Sequence, residues 1–234
     1  AAVLLPGESE QGVCLIDIGA GTTDVAVFTD GEIHTAFVQP VAGNHITNDI
    51  AQVLRVTAQE AERLKTVSGH ALADAIGENE VVEVTQIGRT EPRPLRRRAL
   101  CQIIEARVKE IFGLVKNGLQ QNGVYDACVA GVVLTGGSSR LSGLEECAQC
   151  TLGLPVRIGL PSGIGTLATS GTGGSGGYTA KNVSIPQGMD SPEFAVAVGL
   201  VRWAARVQVG RMNYGSGGLI QTVVEWFRRL VGKS

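Results

Sequence analysis

Residues 13–28 read VCLIDIGAGTTDVAVF, and this stretch decides the fold. Two apolar segments flank a turn that contains Gly19, Gly21, Thr22 and Thr23. Glycine tolerates positive φ and leaves room for close approach, so several backbone N–H groups of such a turn can point at one anion. The stretch therefore predicts a phosphate-binding β-hairpin. An ordinary hairpin, whose glycines only permit a tight turn, is the alternative.

Asp17 stands at the end of the first apolar segment, just before the turn. Carboxylate oxygens are the ligands that Mg²⁺ prefers when it is shared with nucleotide phosphates. Asp17 is therefore the predicted metal-binding residue, and it would hold the ion through water.

A second glycine-rich turn occurs at residues 132–144, VVLTGGSSRLSGL, again after an apolar segment. Ligands of parallel α/β sheets bind beyond the carboxyl ends of the strands, so Gly136, Gly137 and Ser138 are candidates for contact with a ligand. Two glycines after a strand are weak evidence alone, because glycine commonly ends strands. The phosphate hairpin earlier in the chain strengthens the interpretation.

Glu62 and Lys65 lie three residues apart in a predicted helix, AERLKTVSG, and therefore share one face. A carboxylate and an ammonium group on one face can both reach the hydroxyl groups of a ribose. An exposed ion pair is the alternative interpretation. Gly43 precedes another predicted helix, which begins near Ile46.

These segments together resemble the actin, DnaK and sugar-kinase ATPase superfamily. The hairpin is similar to the second phosphate loop of that superfamily, GGSS to its adenosine motif, and E-x-x-K to its ribose-binding helix. The resemblance implies an α/β fold, with an actin-like (ribonuclease H-like) ATPase lobe and a smaller inserted α+β lobe. It also implies ATP and Mg²⁺ as ligands. The implied nucleotide-binding residues are Gly19, Gly21, Thr22, Thr23, Gly43, Glu62, Lys65, Gly136, Gly137 and Ser138.

The order of the segments narrows the resemblance to the bacterial cell-division FtsA family. The residues that carry it are VAGNHITNDIA at 41–51, AERLKTVSG at 61–69, PRPLRRRALCQIIEARVKEI at 92–111 and GVVLTGGSSRLSGLEECAQ at 131–149. Ala20 departs from the family, which commonly has glycine there. The resemblance implies a nucleotide-binding IIA-like subdomain at 1–45 and 125–208, and an inserted IIB-like subdomain at 46–124.

The same resemblance implies a function in the cell cycle. A protein of this family would tether FtsZ filaments at the division septum, contact other divisome proteins and self-associate into actin-like filaments. The C-terminal peptide of FtsZ would bind the inserted lobe, with Arg107 and Glu110 of the predicted helix at 95–121 as partner-binding residues. Without the resemblance, the charged face of that helix is interpreted as solvated.

The chain ends in a second functional signal, an amphipathic helix predicted at 219–232 after a glycine-rich linker at 209–218. An apolar face with Trp and Phe and a basic flank is typical of a helix that lies in a membrane interface. A helix that docks on protein is the alternative, and the FtsA resemblance favours the membrane. The predicted membrane-binding residues are Leu219, Ile220, Val223, Trp226, Phe227, Arg228, Arg229, Leu230 and Lys233.

Net charge and cysteine content bear on nucleic-acid binding and on cellular location. The net charge of −2 provides no basic field, so we expect no nucleic-acid binding. The five cysteines are an odd number in apolar settings, which favours reduced thiols and a cytoplasmic protein. The predicted location is therefore the cytoplasmic face of the bacterial cell membrane, as a peripheral protein. The Gly/Ser-rich stretch at 162–188 is predicted to be a flexible surface loop.

The chain begins at Ala1 and contains no second strand-turn-strand of the D-x-G type, so we expect the C-terminal half of a longer protein. The absent lobe would supply the first phosphate loop. The catalytic residues are therefore unknown, and at most a weak ATPase is expected. Two alternatives are a PilM-like scaffold for pilus assembly, which shares the motifs, and a sugar or acetate kinase of the same superfamily.

Overall fold

The structure is a computed structural model that describes residues 2–161, 165–170, 178–183 and 188–211. The predicted membrane helix at 219–232 lies outside the described residues. The chain divides into two compact units, one formed by residues 3–160 and the other by the rest of the chain.

A five-stranded mixed sheet forms the centre of the larger unit. Its strands are β1 (Val13–Ile18), β2 (Thr23–Thr29), β3 (Glu32–Gln39), β6 (Val132–Thr135) and β7 (Val156–Ile158), in the order β3-β2-β1-β6-β7. β1 and β2 form the predicted antiparallel hairpin, and β1 runs parallel to β6. The two glycine-rich turns therefore follow neighbouring parallel strands and lie at the same edge of the sheet.

Helices and a small ribbon complete this unit. Helix α1 (Glu8–Gln11) precedes the sheet, and α2 (Gly43–Leu54), α3 (Ala58–Ser68), α4 (Arg97–Gln121) and α5 (Leu144–Leu152) follow in chain order. A two-stranded ribbon pairs β4 (Val81–Val84) with β5 (Arg93–Arg96). The predicted helix at 95–121 thus starts two residues later than expected, because Leu95 and Arg96 belong to β5.

One continuous apolar core joins the sheet to the helices. Ile16 of β1, Ile50 of α2 and Ile104 of α4 are all fully buried in it. The three- and four-residue spacing of apolar side chains predicted α4, and its buried face confirms that prediction. Buried side chains of residues 46–124 belong to the same core as those of the sheet, so the core does not mark this segment as a separate subdomain. The inserted subdomain at 46–124 therefore stays a prediction.

The smaller unit contains β8 (Gly165–Ser170), β9 (Tyr178–Val183) and α6 (Ala195–Arg211). β8 and β9 pair as an antiparallel hairpin, so the stretch predicted to be a flexible loop at 162–188 contains two strands. Helix α6 continues to Arg211, and residues 209–211 of the predicted linker are therefore helical.

Candidate functional site

Three segments that the sequence predicted separately meet at the backbone of Gly19. Its N–H group donates to the carbonyl of Thr22 across 3.0 Å and closes the turn of the hairpin. Its carbonyl accepts from the N–H of Gly43 at 3.1 Å and from Ser138 Oγ at 2.9 Å. The hairpin turn closes through the Gly19 N–H group, while the start of α2 and the second glycine-rich turn both donate to the Gly19 carbonyl.

Gly43 is required at this junction because there is no room for a side chain. A Cβ atom on Gly43 would lie 2.5 Å from Ser138 Oγ and 3.1 Å from the Gly19 carbonyl oxygen. The neighbouring N–H group of Asn44 donates to the Ala20 carbonyl at 2.8 Å. The start of α2 is thus fixed against the hairpin by two backbone hydrogen bonds.

A cleft of about 440 Å³ opens beside this junction. Six of the predicted nucleotide-binding residues line it: Gly19, Gly43, Glu62, Lys65, Gly137 and Ser138. The structure therefore brings residues from the hairpin, α2, α3 and the second turn to one concave surface, as expected of a ligand site.

Four predicted residues do not line the cleft. Gly21 and Thr22 lie exposed at the tip of the hairpin. Thr23 is fully buried, and its Oγ1 donates to the Val41 carbonyl at 2.7 Å, so its hydroxyl group stabilises the hairpin. Gly136 is buried with φ of 88°, and a Cβ atom there would lie 2.3 Å from Asp17 Oδ1. Gly136 thus permits the close approach of two strand ends, and its contact with a ligand stays a prediction.

Glu62 and Lys65 share one face of α3, as their spacing predicted, and they form an ion pair of 2.7 Å. The side chain of Lys65 is 13% exposed and that of Glu62 is 48% exposed. Lys65 Nζ also donates to Thr47 Oγ1 at 2.9 Å and to the Gly43 carbonyl at 3.2 Å. Sequence reasoning missed Thr47, because only the packing of α2 against α3 brings it to the pair.

The Glu62 carboxyl is stabilised as an anion. Burial opposes ionisation, but hydrogen bonds from Lys65 and Thr47 and the charge of Lys65 outweigh it, and the pKa of Glu62 is lowered. The carboxylate is therefore an acceptor at neutral pH, which suits a donor such as a hydroxyl group.

Asp17 has the opposite electrostatic setting. It lies directly opposite Asp24 in the β1–β2 pair. Burial, followed by the charge of Asp24, raises the pKa of the Asp17 carboxyl. A divalent cation would offset both effects, because it places positive charge beside two carboxylates. The residues present thus fit the predicted metal role of Asp17.

Two arginines also line the cleft, Arg97 and Arg140. The sequence did not predict either of them as part of this site. Arg97 Nε donates to the Ser68 carbonyl at 2.8 Å, and its other end pairs with Glu80 at 2.7 Å. Arg140 closely follows the second glycine-rich turn, and this position in the sequence could have indicated that it reaches the cleft. Arg97 reaches the cleft only because the start of α4 packs near the end of α3.

Without the family resemblance, the charged face of α4 was expected to be solvated. The structure differs at Arg107, which is largely buried. Its guanidinium group forms two hydrogen bonds with Asp49 of α2, at 2.5 and 2.9 Å, and a third with Glu110 at 2.6 Å. Its side chain is only 23% exposed. Arg107 therefore joins α4 to α2, and Asp49 is a partner that the sequence did not reveal.

Comparison with known families assigns the chain. A family model for the cell division protein FtsA matches residues 14–199. The chain belongs to the FtsA family. Cell division protein FtsA of Pseudomonas aeruginosa is 38% identical over 217 residues, which cover 93% of this chain and 48% of that protein. FtsA of Escherichia coli K12 is 34% identical over 236 residues, with coverage of 98% and 52%. The chain spans about half the length of these FtsA relatives.

Solved structures show the actin-like fold expected of an FtsA family member. MreB5 of Spiroplasma citri bound to ADP has a TM-score of 0.65 at 19% identity, covering 92% of this chain and 59% of that one. The PilM–PilN complex of type IV pilus biogenesis has a TM-score of 0.58 at 18% identity, covering 85% and 47%. The predicted actin-like α/β fold is thus confirmed, while the C-terminal helix stays a prediction, and the family match favours FtsA over the alternatives weighed from the sequence. In the part of the FtsA-family chain that the structure describes, no helix is long and apolar enough to cross a membrane.

Proposed function

We propose that this chain is the nucleotide-binding part of an actin-like cell-division protein that binds ATP and tethers FtsZ filaments to the membrane. The observation that carries the proposal is the junction at Gly19, where the hairpin, α2 and the second glycine turn are hydrogen-bonded around one cleft. Actin-like relatives of the same fold, MreB5 bound to ADP and to AMPPNP, support a nucleotide as the ligand.

Each part of a nucleotide has a counterpart in this site. The backbone of the hairpin turn, at residues 19–22, would receive the phosphates. The Glu62–Lys65 pair would hold the ribose, and Gly137 and Ser138 would lie against the nucleoside. Asp17 would hold Mg²⁺ through water, and the bound ion would neutralise charge on the phosphates.

ATP serves in this proposal as a ligand that stabilises assembly, with at most slow hydrolysis. No residue of this chain is assigned a catalytic role. Nucleotide-dependent self-association into filaments, and contact with other divisome proteins, are consistent with the family and with the fold.

The FtsZ peptide would bind at α4, where Arg107 and Glu110 are adjacent. Arg107 is already paired with Asp49, so an acidic peptide would have to share or replace that partner. The amphipathic helix at 219–232 would place the protein on the cytoplasmic face of the cell membrane at the division site. That helix is supported by its sequence and by the family.

Calorimetric titration of Mg-ATP into the chain tests the nucleotide proposal. Lys65→Met should weaken binding about tenfold or more, because a charge-assisted network beside the ribose is lost. Arg63→Met is the matched control: Arg63 pairs with Glu60 on the same helix at 2.8 Å and lies outside the cleft. It should bind as the unchanged chain does. Equal affinities of both variants would contradict the proposal.

A further inference from the structure

The Lys65 ammonium group has no hydrogen left for a ligand. It carries three N–H donors, and its three partners are Glu62 Oε2, Thr47 Oγ1 and the Gly43 carbonyl, at 2.7, 2.9 and 3.2 Å. A ribose hydroxyl group therefore could not receive a hydrogen bond from Lys65 without breaking one of these contacts. Recognition of the ribose falls to the other member of the pair.

The Glu62 carboxylate is held by one oxygen only. Oε2 accepts from Lys65 and, at 2.5 Å, from Thr47 Oγ1. Among the residues that the structure describes, none donates a hydrogen bond to Oε1. This second oxygen belongs to a half-exposed side chain that lines the cleft, so it is free to accept from a hydroxyl group.

Thr47 orients this carboxylate from an otherwise apolar face of α2. It is 7% exposed, and its hydroxyl group has one proton and two lone pairs. Lys65 can only donate, so it occupies a lone pair of Oγ1. The Thr47 proton then goes to Glu62 at 2.5 Å in preference to the Gly43 carbonyl at 3.1 Å. Glu62 is thereby fixed from two sides.

We propose that Thr47 is a positioning residue that, with Lys65, fixes Glu62 so that its free oxygen accepts a ribose hydroxyl group. The cleft would then discriminate ribonucleotides from deoxyribonucleotides through a single carboxylate oxygen. This inference rests on the proposed nucleotide function and names the contact that selects the sugar.

The test compares ATP with 2′-deoxy-ATP and 3′-deoxy-ATP in titrations of this chain with Mg²⁺ present. The unchanged chain should bind ATP about tenfold or more tighter than at least one deoxy analogue, because a hydrogen bond to a charged group is lost. Thr47→Val keeps the shape but removes the hydroxyl group. It should lower the affinity for ATP and bring the ratio near one, with little change for the analogue.

Two further variants separate positioning from folding. Thr47→Ser keeps the hydroxyl group and should restore the preference for ATP. Thr151→Val is the matched control, because Thr151 Oγ1 bonds the carbonyl four residues earlier in α5, at 2.8 Å, and lies outside the cleft. It should keep the preference. If Thr47→Val does not fold, Thr47→Cys replaces it, and the weak S–H donor should lower the ratio.

A Thr47→Val or Thr47→Cys protein that folds, binds ATP and keeps the full preference would overturn the inference alone. An unchanged chain that binds ATP and both deoxy analogues equally would also overturn it, while the nucleotide proposal would stand. Failure of the unchanged chain to bind ATP at all would overturn both.

Discussion

Gly136 lies where the ends of β1 and β6 approach each other, and it has two reasons to be glycine. Its φ of 88° belongs to the left-handed region, which side chains disfavour. A Cβ atom would lie 2.3 Å from Asp17 Oδ1 and 2.6 Å from the Ile18 carbonyl oxygen. The Asp17 carboxylate and the second glycine turn can therefore be adjacent only while residue 136 has no side chain.

Gly136→Ala should lower the free energy of unfolding by about 1–3 kcal/mol, because it adds backbone strain and a steric clash. Urea unfolding followed by circular dichroism measures this. Gly21→Ala is the matched control, since a Cβ atom there meets nothing within 4 Å and φ is not positive. Similar stabilities of the two variants would contradict this explanation of Gly136.

Single residues were predictable where a motif fixes them and not where packing does. The spacing of Glu62 and Lys65 predicted their shared helix face, and the two glycine-rich turns follow strands as their motifs predicted. The hydrogen bonds that join these turns at Gly19 were not predicted. Thr47 and Asp49 could not be predicted, because each meets its partner only after α2 packs against another helix. The burial of Thr23 and the hydrogen bond from its hydroxyl group to the Val41 carbonyl could not be predicted from the motif either.

Helices α2 and α4 are joined by the pair between Asp49 and Arg107, and this contact sets a condition on the peptide binding proposed for α4. The two hydrogen bonds keep the guanidinium group in place, with each side chain about three-quarters buried. An FtsZ peptide that recruits Arg107 must therefore compete with Asp49. Neutralising either Asp49 or Arg107 breaks this ion pair. Only the change at Arg107 also removes the positive charge that an acidic peptide would contact.

Arg107→Gln should weaken binding of a fluorescent FtsZ C-terminal peptide about tenfold or more, by the loss of a charge-assisted contact. Asp49→Asn should leave binding unchanged or strengthen it, because it releases the guanidinium group. Both variants should lose about 1–2 kcal/mol of stability, between the values of exposed and buried pairs. Anisotropy titration and urea unfolding measure the two effects. An equal loss of peptide binding in both variants would show that Arg107 acts only through the fold.

Among the helices and strands, the sequence predicted best those in which apolar side chains recur at a regular spacing over many residues. Helix α4 followed from such spacing, and only its first residues were misplaced, because β5 runs directly into it. The β8–β9 hairpin was missed because GTLATS and YTAKNV lie among glycines and serines and lack a clear apolar alternation. Composition predicted a loop there, while strand pairing does not require an apolar face at each position.

The whole molecule combines a folded ATPase-like unit with a C-terminal segment whose role stays a sequence prediction. The apolar face and basic flank of residues 219–232 would provide reversible binding to a membrane interface. Basic side chains near an anionic surface contribute roughly 1 kcal/mol each, so binding should weaken in high salt. Self-association would strengthen it, since several tails would bind together.

The chain should float with anionic liposomes in a density gradient, and deletion of residues 218–234 should abolish flotation. Trp226→Glu should do nearly as much, because it places a charge in the apolar face. Trp203→Glu is the control: Trp203 is the other tryptophan, it lies on α6, and it is 65% exposed. It should float as the unchanged chain does. Flotation of the deleted chain would refute the membrane role of the tail.

The central claim is that the two glycine-rich turns and α3 form one nucleotide site, and hydrogen–deuterium exchange with saturating Mg-ATP tests it most directly. ATP should slow amide exchange at residues 17–23, 65–69 and 136–142 together. Amide exchange at residues 85–89 should not change, because this segment lies beside α3 but outside the cleft. Protection confined to one of the three segments, or equal protection at 85–89, would contradict a nucleotide site at the Gly19 junction.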